Sequence, residues 1–289
     1  MPKKISEFVI ESCIKLSGFA VILFVVSIFL FLLKDSLSLF GAHSVKDFLF
    51  GKSWLPISEP PKFGIVPLVL GSLLVTIGAI VICVPIGVGS AMFIAEVAPS
   101  HLKHVLKSLI EILAAIPSVV LGFIGIVWLG PFLRNLLHLS TGMCGLTGSL
   151  LLAFMALPTV ISISEDALIG VPKSFKEAAF GLGATRWQAL WRIILPSASS
   201  GIMAAIMLGI GRVIGETMVV MMVTGNSPVI PTSLLQPLRT LTATIAGEMG
   251  ETVAGSEHYF ALFAVGLILF IITFIINFIA DICLRRARK

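Results

Sequence analysis

Charge is what this chain has least of. Asp, Glu, Lys and Arg make up 12% of its 289 residues, about half the share carried by soluble domains. That deficit excludes a soluble globular enzyme and a disordered, solvated chain, since both need a polar surface. The excess of positive charge is also small, 20 Lys+Arg against 15 Asp+Glu. It sits at loop edges, which argues against a nucleic-acid binder. Cysteine is equally sparse: Cys13, Cys83, Cys144 and Cys283 are scattered with no CxxC pair, so neither a metal cluster nor a disulfide framework is expected. No GxxxxGK[ST] signature occurs, and the chain should not hydrolyse ATP itself. The alternating polarity of a transmembrane β-barrel is missing as well.

What is abundant is apolar sequence: 57% of residues, with a mean hydropathy of +1.08. The long apolar runs point to an all-α polytopic membrane protein, because helices satisfy their own backbone in lipid. A bilayer core of about 30 Å needs roughly 20 apolar residues per helix. Six spans follow: Gly18–Leu33, a long run between Lys62 and Glu96, Ile112–Leu133, Leu146–Ser164, Pro196 to about Val223, and Tyr259–Ala280. The second is long enough to need a break, offered by Pro85 with Gly87 and Gly89. Pro67, Pro85, Pro117 and Pro158 are expected to kink their helices. The first run follows Lys3 and Lys4 but is long for a signal peptide, so it reads as an anchoring helix.

Loop charge sets the orientation. With a cytoplasmic N-terminus, 13 basic residues lie on the cytoplasmic side (Lys3 and Lys4 through the RRARK tail) and 6 on the far side. Arg212 is left inside the membrane. Both termini are then cytoplasmic, and Asp35–Gly64 and Gly225–His258 are external. Trp54 is expected near the returning membrane surface. Leu238, Leu241, Ile245 and Met249 recur at helical spacing, which predicts a short interfacial helix packed on the bundle.

The loop after the fourth span, SEDALIGVPKSFKEAAFGLGATRWQALWRIILP, holds two helix starts. Ser174 with Glu177 and Thr185 with Gln188 each have capping-box spacing. Gly181 and Gly183 between them suit a tight turn. Ala178 and Ala179 would let another surface approach, and Trp187, Leu190, Ile193 and Ile194 would tie the second helix to the membrane end. From pattern alone, this is either a partner-binding pair of helices or an ordinary interfacial loop.

The stretch EAAFGLGATRWQALWRIILP resembles the EAA signature of ABC importer permeases: Glu177, Ala178, Ala179, Gly183, Ile193, Leu195 and Pro196 stand at its spacing. FGIVPLVLGSLLVTIGAIVICVPIGVGSAMFIAEVAP, IEILAAIPSVVLGFIG, LPTVISISEDAL, GRVIGETMVVMMVTGNSP and TLTATIAGEMGE resemble the permeases of phosphate-specific ABC importers. GETM followed by GNSP resembles the PstC type more than its PstA-type partner. The resemblance covers about residues 60 to 280. It implies a MetI-like permease core at 63–284 with coupling helices at 172–192. An N-terminal anchor and external loop (1–62) precede that core, and a basic tail (285–289) follows it. It further implies a heterodimer with a PstA-type permease, two PstB-type ATPases carrying ATP-Mg, a PstS-type phosphate-binding protein outside, and coupling through Glu177, Ala178, Ala179 and Gly183. Two other readings stand beside it: a permease for another oxyanion, and an ion-coupled secondary transporter. The latter would usually show internal repeats, and none is detected.

Arg212 and Glu216 are the charges well inside a predicted span. Four residues apart, they would share one helix face. A lone Arg at mid-membrane costs at least about 2.5–3.5 kcal/mol, so it should face protein or water. The pair is either a self-neutralising ion pair or part of an anion pathway. Gly211 and Gly215 have small-xxx-small spacing for close helix packing.

Overall fold

The computed structural model describes the backbone of residues 2–287 and the side chains of residues 8–282. The side chains of Lys3, Lys4, Cys283 and the basic tail lie outside the described ones. Helix α1 (Pro2–Phe40) is 39 residues long. A short helix, α2 (Val45–Phe50), and an antiparallel two-stranded ribbon follow, with β1 (Trp54–Leu55) set against β2 (Lys62–Phe63). Next come α3 (Val66–Met92), extended by a π-helical turn Phe93–Val97, and α4 (Ser100–Ala114). Helices α5 (Ser118–Ile124) and α6 (Gly130–Leu137) are joined through a π turn, Gly125–Leu129. The central helix is α7 (Gly145–Ile169). Helix α8 (Lys173–Gly181) leads to a rod made of α9 (Arg186–Ala189), a π turn Leu190–Ile194 and α10 (Leu195–Ser197). The chain ends with α11 (Ser199–Ile214), α12 (Met218–Val223), α13 (Leu241–Glu248) and α14 (Glu257–Ala287).

Among the described residues, five helical stretches are long and apolar enough to cross a membrane. A sixth is obtained if Arg186–Ser197 and Ser199–Ile214, bent by 67°, count as one. The multi-pass architecture, with helical spans, is therefore as the hydropathy predicts, while four local expectations change. The second run does not break at Pro85: α3 continues through it, because a Pro-containing turn survives where neighbouring helices hold it. The third span starts at Ser118, not Ile112. Pro117 is extended (φ −61°, ψ 139°) and caps α5, so Glu111 and Ile112 belong to the separate amphipathic helix α4. Pro67 lies in the first turn of α3, where proline disturbs nothing; Pro85 and Pro158 are the prolines of the predicted set found inside helices. The fifth span does not run unbroken to Val223: the helix stops at Ile214 and resumes at Met218.

Packing is graded from the centre outward. The apolar window of α7 is 56% buried, against 28% for those of α3 and α14 and 0% for that of α1. Helix α7 is thus the hub, held between α3 and α11, whereas α1 leans on α14 and leaves most of its surface exposed. Close approach is made by small residues. A side chain at Gly209 would meet Val160, and one at Gly201 would meet Ala167; Gly211 has open space, and Gly215 would meet its own helix's Gly211 carbonyl. The close-packing glycines are therefore Gly201 and Gly209, not the pair with the expected spacing. Buried hydroxyls bond to backbone carbonyls, as Ser149 does to Val75 at 3.1 Å and Thr224 to Val220 at 2.7 Å.

Candidate functional site

The loop between α7 and α11 is ordered by its own sequence. Pro172 is extended and makes Lys173 the first residue of α8. Ser174 then lies inside the first turn, so the Ser174–Glu177 box is not formed. Its expected capping role for Glu177 is corrected: Glu177 is exposed and makes no ion pair among the described residues. The second box is present. Gln188 N–H donates to the Thr185 hydroxyl at 3.3 Å, and the Gln188 side-chain oxygen accepts from Thr185 N–H at 2.8 Å. Between the helices Gly183 has φ +81°, a left-handed conformation that favours glycine. Gly181 still belongs to α8, so the turn rests on Gly183.

The EAA segment has a buried face and an exposed face. Ala179, Ala189, Leu190 and Ile194 are buried, and Leu190 and Ile194 belong to a cluster that includes Ala91, Ile94 and Leu168. Ala178 is exposed, along with Phe175, Phe180 and Leu182, the last at 89%. Trp187 is 62% exposed and does not tie the second helix down as expected; Leu190 and Ile194 do. A groove of about 510 Å³ lined by Phe175, Ala178, Leu182, Arg192, Ile193 and Pro196 opens on this face. Exposed apolar side chains gathered on one short loop mark an interaction surface.

Ion pairs fix this end. Lys176 Nζ reaches Glu96 Oε1 at 2.5 Å, and Lys103 Nζ donates to the Ala95 carbonyl at 2.6 Å. Lys107 lies 3.8 Å from Glu165 and 3.7 Å from Asp166. Glu165 is almost fully buried, which makes a nearby cation necessary.

Arg212 stands in the last turn of α11, where a cation complements the helix dipole. Its Nη1 donates to the Thr159 hydroxyl of α7 at 3.3 Å. Glu216 does not share its helix face. It lies in the break after Ile214, and its Oε1 accepts from the backbone N–H groups of Met218 (3.0 Å) and Val219 (3.3 Å). The Thr242 hydroxyl of α13 donates to the Glu216 carbonyl at 2.9 Å. The intrahelical Arg212–Glu216 pair is thereby corrected: the carboxylate caps α12, and Arg212 has no acidic partner among the described residues. The physical reason is the break itself, since i,i+4 residues face each other only on a continuous helix. Thr159 and Thr242 escaped the sequence reading; the position of Thr159 directly after Pro158 is the one local signal. Arg212 lies near the far end of α11 from the loop that carries Glu177, Ala178 and Gly183, about 20 Å along the helix from Ser199.

At the other end of the bundle, Glu248 collects three donors. Trp54 Nε1 donates to it at 3.0 Å, His258 Nε2 lies 2.8 Å away, and Arg239 Nη1 is paired with it. Trp54 is buried, with its ring against Phe63 and His258. The interfacial helix expected around Leu241–Met249 is α13, capped by the Thr240 hydroxyl, which accepts from Ala243 N–H at 3.2 Å. The GNSP turn has Gly225 at φ +81° and Asn226 at φ +47°.

Comparisons with known proteins were made against this geometry. The family model of binding-protein-dependent transport system inner membrane components matches residues 83–289. YqgH of Bacillus subtilis, a probable ABC transporter permease protein, is 40% identical over 252 residues, covering 86% of this chain and 82% of the relative. The phosphate transport system permease protein PstC of Mesorhizobium japonicum is 39% identical over 271 residues, covering 87% of this chain and 81% of the relative. Among solved structures, a bacterial alginate ABC transporter in complex with an alginate pentasaccharide-bound periplasmic protein matches 93% of this chain and 92% of its own. The TM-score is 0.66 at 15% identity, a likeness of fold.

Proposed function

The chain belongs to the family of binding-protein-dependent transport system inner membrane components, and on that premise we propose that it is the PstC-type permease subunit of an ATP-driven importer of inorganic phosphate. Relatives named as phosphate permeases support the substrate class. The observation that carries the mechanism is Arg212, a guanidinium between helices with a hydroxyl partner and no carboxylate partner among the described residues. A membrane interior disfavours an unpaired phosphate charge. A guanidinium fork offsets part of that penalty and offers several donors to phosphate oxygens. Binding in a conducting site must stay weak enough for release. Glu216, held four residues on by the start of α12, limits the local positive field.

The rest of the machine follows from the same reading. The chain itself carries no chemistry; ATP-Mg is bound and hydrolysed by two PstB-type ATPases seated on the loop of Glu177, Ala178 and Gly183. A PstA-type permease completes the channel, and a PstS-type binding protein delivers phosphate from outside. The complex lies in the cell (inner) membrane with both termini of this chain cytoplasmic. Ala179, on the buried face of α8, seats the helix that presents the coupling surface.

The test is phosphate uptake by the complex reconstituted with Arg212 variants. Losing charge-assisted hydrogen bonds worth about 1.5–3 kcal/mol lowers uptake roughly 10- to 150-fold in Arg212→Gln, with assembly unchanged. Arg212→Lys restores part of it, because the charge returns without the fork. Normal uptake by Arg212→Gln combined with Glu216→Gln would mean that the two act as a neutral structural unit, and the pathway assignment would fall.

A further inference from the structure

Two charges at the loop end of the bundle sit at the wrong ends of their own helices. Glu96 lies in the last turn of the run Val66–Val97, where the helix dipole is negative and a carboxylate is disfavoured. Lys176 lies in the first turn of α8, where the dipole is positive and an ammonium is disfavoured. Each is unfavourable locally, and each is also held out of water: their side chains are 15% and 25% exposed. The pair they make across 80 residues of sequence, at 2.5 Å, relieves both placements at once. Natural sequences break a local rule of this kind chiefly where function demands it.

The surroundings make the contact a mechanical one. The segment bearing Glu96 is a π turn, a distortion frequent at functional sites. It ends in extended backbone at Ala98, and its Ala95 carbonyl is held by Lys103. Phe180, Arg186, Trp187, Leu190 and Ile194 line a cavity of about 470 Å³ beside the pair. Arg186 also faces that cavity but is exposed and makes no ion pair among the described residues. Apolar packing alone would let α8 slide over the buried cluster of Ala91, Ile94, Leu190 and Ile194, because it is non-directional. A charge pair fixes one register.

We propose that the Glu96–Lys176 pair is a positioning latch that transmits motion of the ATPase-facing helix α8 to the end of the second span. The proposal rests on the reading of α8 as the ATPase-coupling helix. Movement pressed on the exposed face of α8 would be passed through Lys176 to Glu96 and so to α3, which packs along the hub helix α7. Neither residue touches the transported anion.

The experiment uses the whole complex, purified and reconstituted in vesicles, and measures ATP hydrolysed per phosphate taken up. The unmodified complex tests the underlying reading: if no soluble ATPase assembles with it, or if it takes up no phosphate, that reading fails irrespective of the latch. Given a working complex, Glu96→Gln and Lys176→Gln should each assemble and hydrolyse ATP while the ATP-to-phosphate ratio rises about tenfold, within the usual range for contacting pairs. The reversed pair, Glu96→Lys with Lys176→Glu, places each charge at the helix end that favours it and should return the ratio to that of the unmodified complex. Single variants that assemble and keep the unmodified ratio overturn the latch. Should the single variants fail to assemble, the reversed pair decides: coupled transport supports the proposal, and an uncoupled or unassembled complex overturns it.

Discussion

Glu248 shows how much one carboxylate can organise. It sits at the end of α13, 14% exposed at its side chain, and joins Arg239 of its own segment, Trp54 of β1 and His258 of α14. The Arg239 Nε is buried without a hydrogen-bond partner, so the guanidinium depends on this carboxylate. Replacing Glu248 by Gln removes the charge and keeps the shape. With charge-assisted bonds worth about 1.5–3 kcal/mol, the purified protein should lose roughly 2 kcal/mol of stability, read as a lowered thermal midpoint with Trp54 fluorescence shifting first. An unchanged midpoint would make the cluster ornamental. Nothing in the sequence marked Glu248, because its partners lie 194 and 10 residues away and a lone acid near a loop reads as solvated. Arg212 was legible by contrast, since a cation inside an apolar run has few places to go. Its partner was not: Thr159 is set by the packing of α7 on α11.

At the scale of elements, periodicity and capping chemistry were readable where the chain decides locally. Thr185 and Gln188 form their box because all its atoms lie within four residues. The break at Gly215–Thr217 was hidden because apolar sequence resumes directly at Met218 and reads as one span. The continuity of α3 through Pro85 was hidden for the opposite reason, as neighbours in the bundle overrule the proline. The turn at Gly183 offers an element-scale test. No atom lies within 4 Å of where its Cβ would stand, so a substitution there is opposed by backbone strain alone. Gly183→Val should cost about 1–2 kcal/mol for a left-handed, β-branched residue and displace α8, lowering uptake with insertion intact. Gly183→Asn tolerates the conformation better and should retain most uptake. Equal loss in both would mean that the missing side chain, not the backbone angle, is what matters. A cysteine at exposed Ala178, in place of buried Ala179, is the position from which a crosslink to an ATPase should form.

For the whole molecule, the question is which ends of the bundle share a side of the membrane. The ion pairs answer in part. Glu96–Lys176 and Lys107–Glu165 join segments expected to be cytoplasmic; His43–Glu257 joins the two segments expected to be external. An even number of crossings is required for this, and five long helices alone would put the termini on opposite sides. The bent segment Arg186–Ile214, continued by α12, supplies the sixth, with its bend at the loop end where α10 meets α11. The absolute orientation then rests on the basic-residue bias of 13 to 6, a difference that sets topology in short-looped membrane proteins. The measurement is labelling of single cysteines in intact cells with a membrane-impermeant thiol reagent, after removal of the exposed Cys13. A cysteine replacing Ile57 or Val253, which are 92% and 76% exposed, should react from outside. One replacing Leu182, at 89% exposure, should react only after the cells are opened. All three are exposed on this chain; because Leu182 lies on the face proposed to meet the ATPase, its labelling is read in opened cells that lack the ATPase subunits, where a failure to label from outside reports the membrane. Reaction of the Leu182 position from outside would invert the assignment and remove the coupling loop from the compartment that holds ATP.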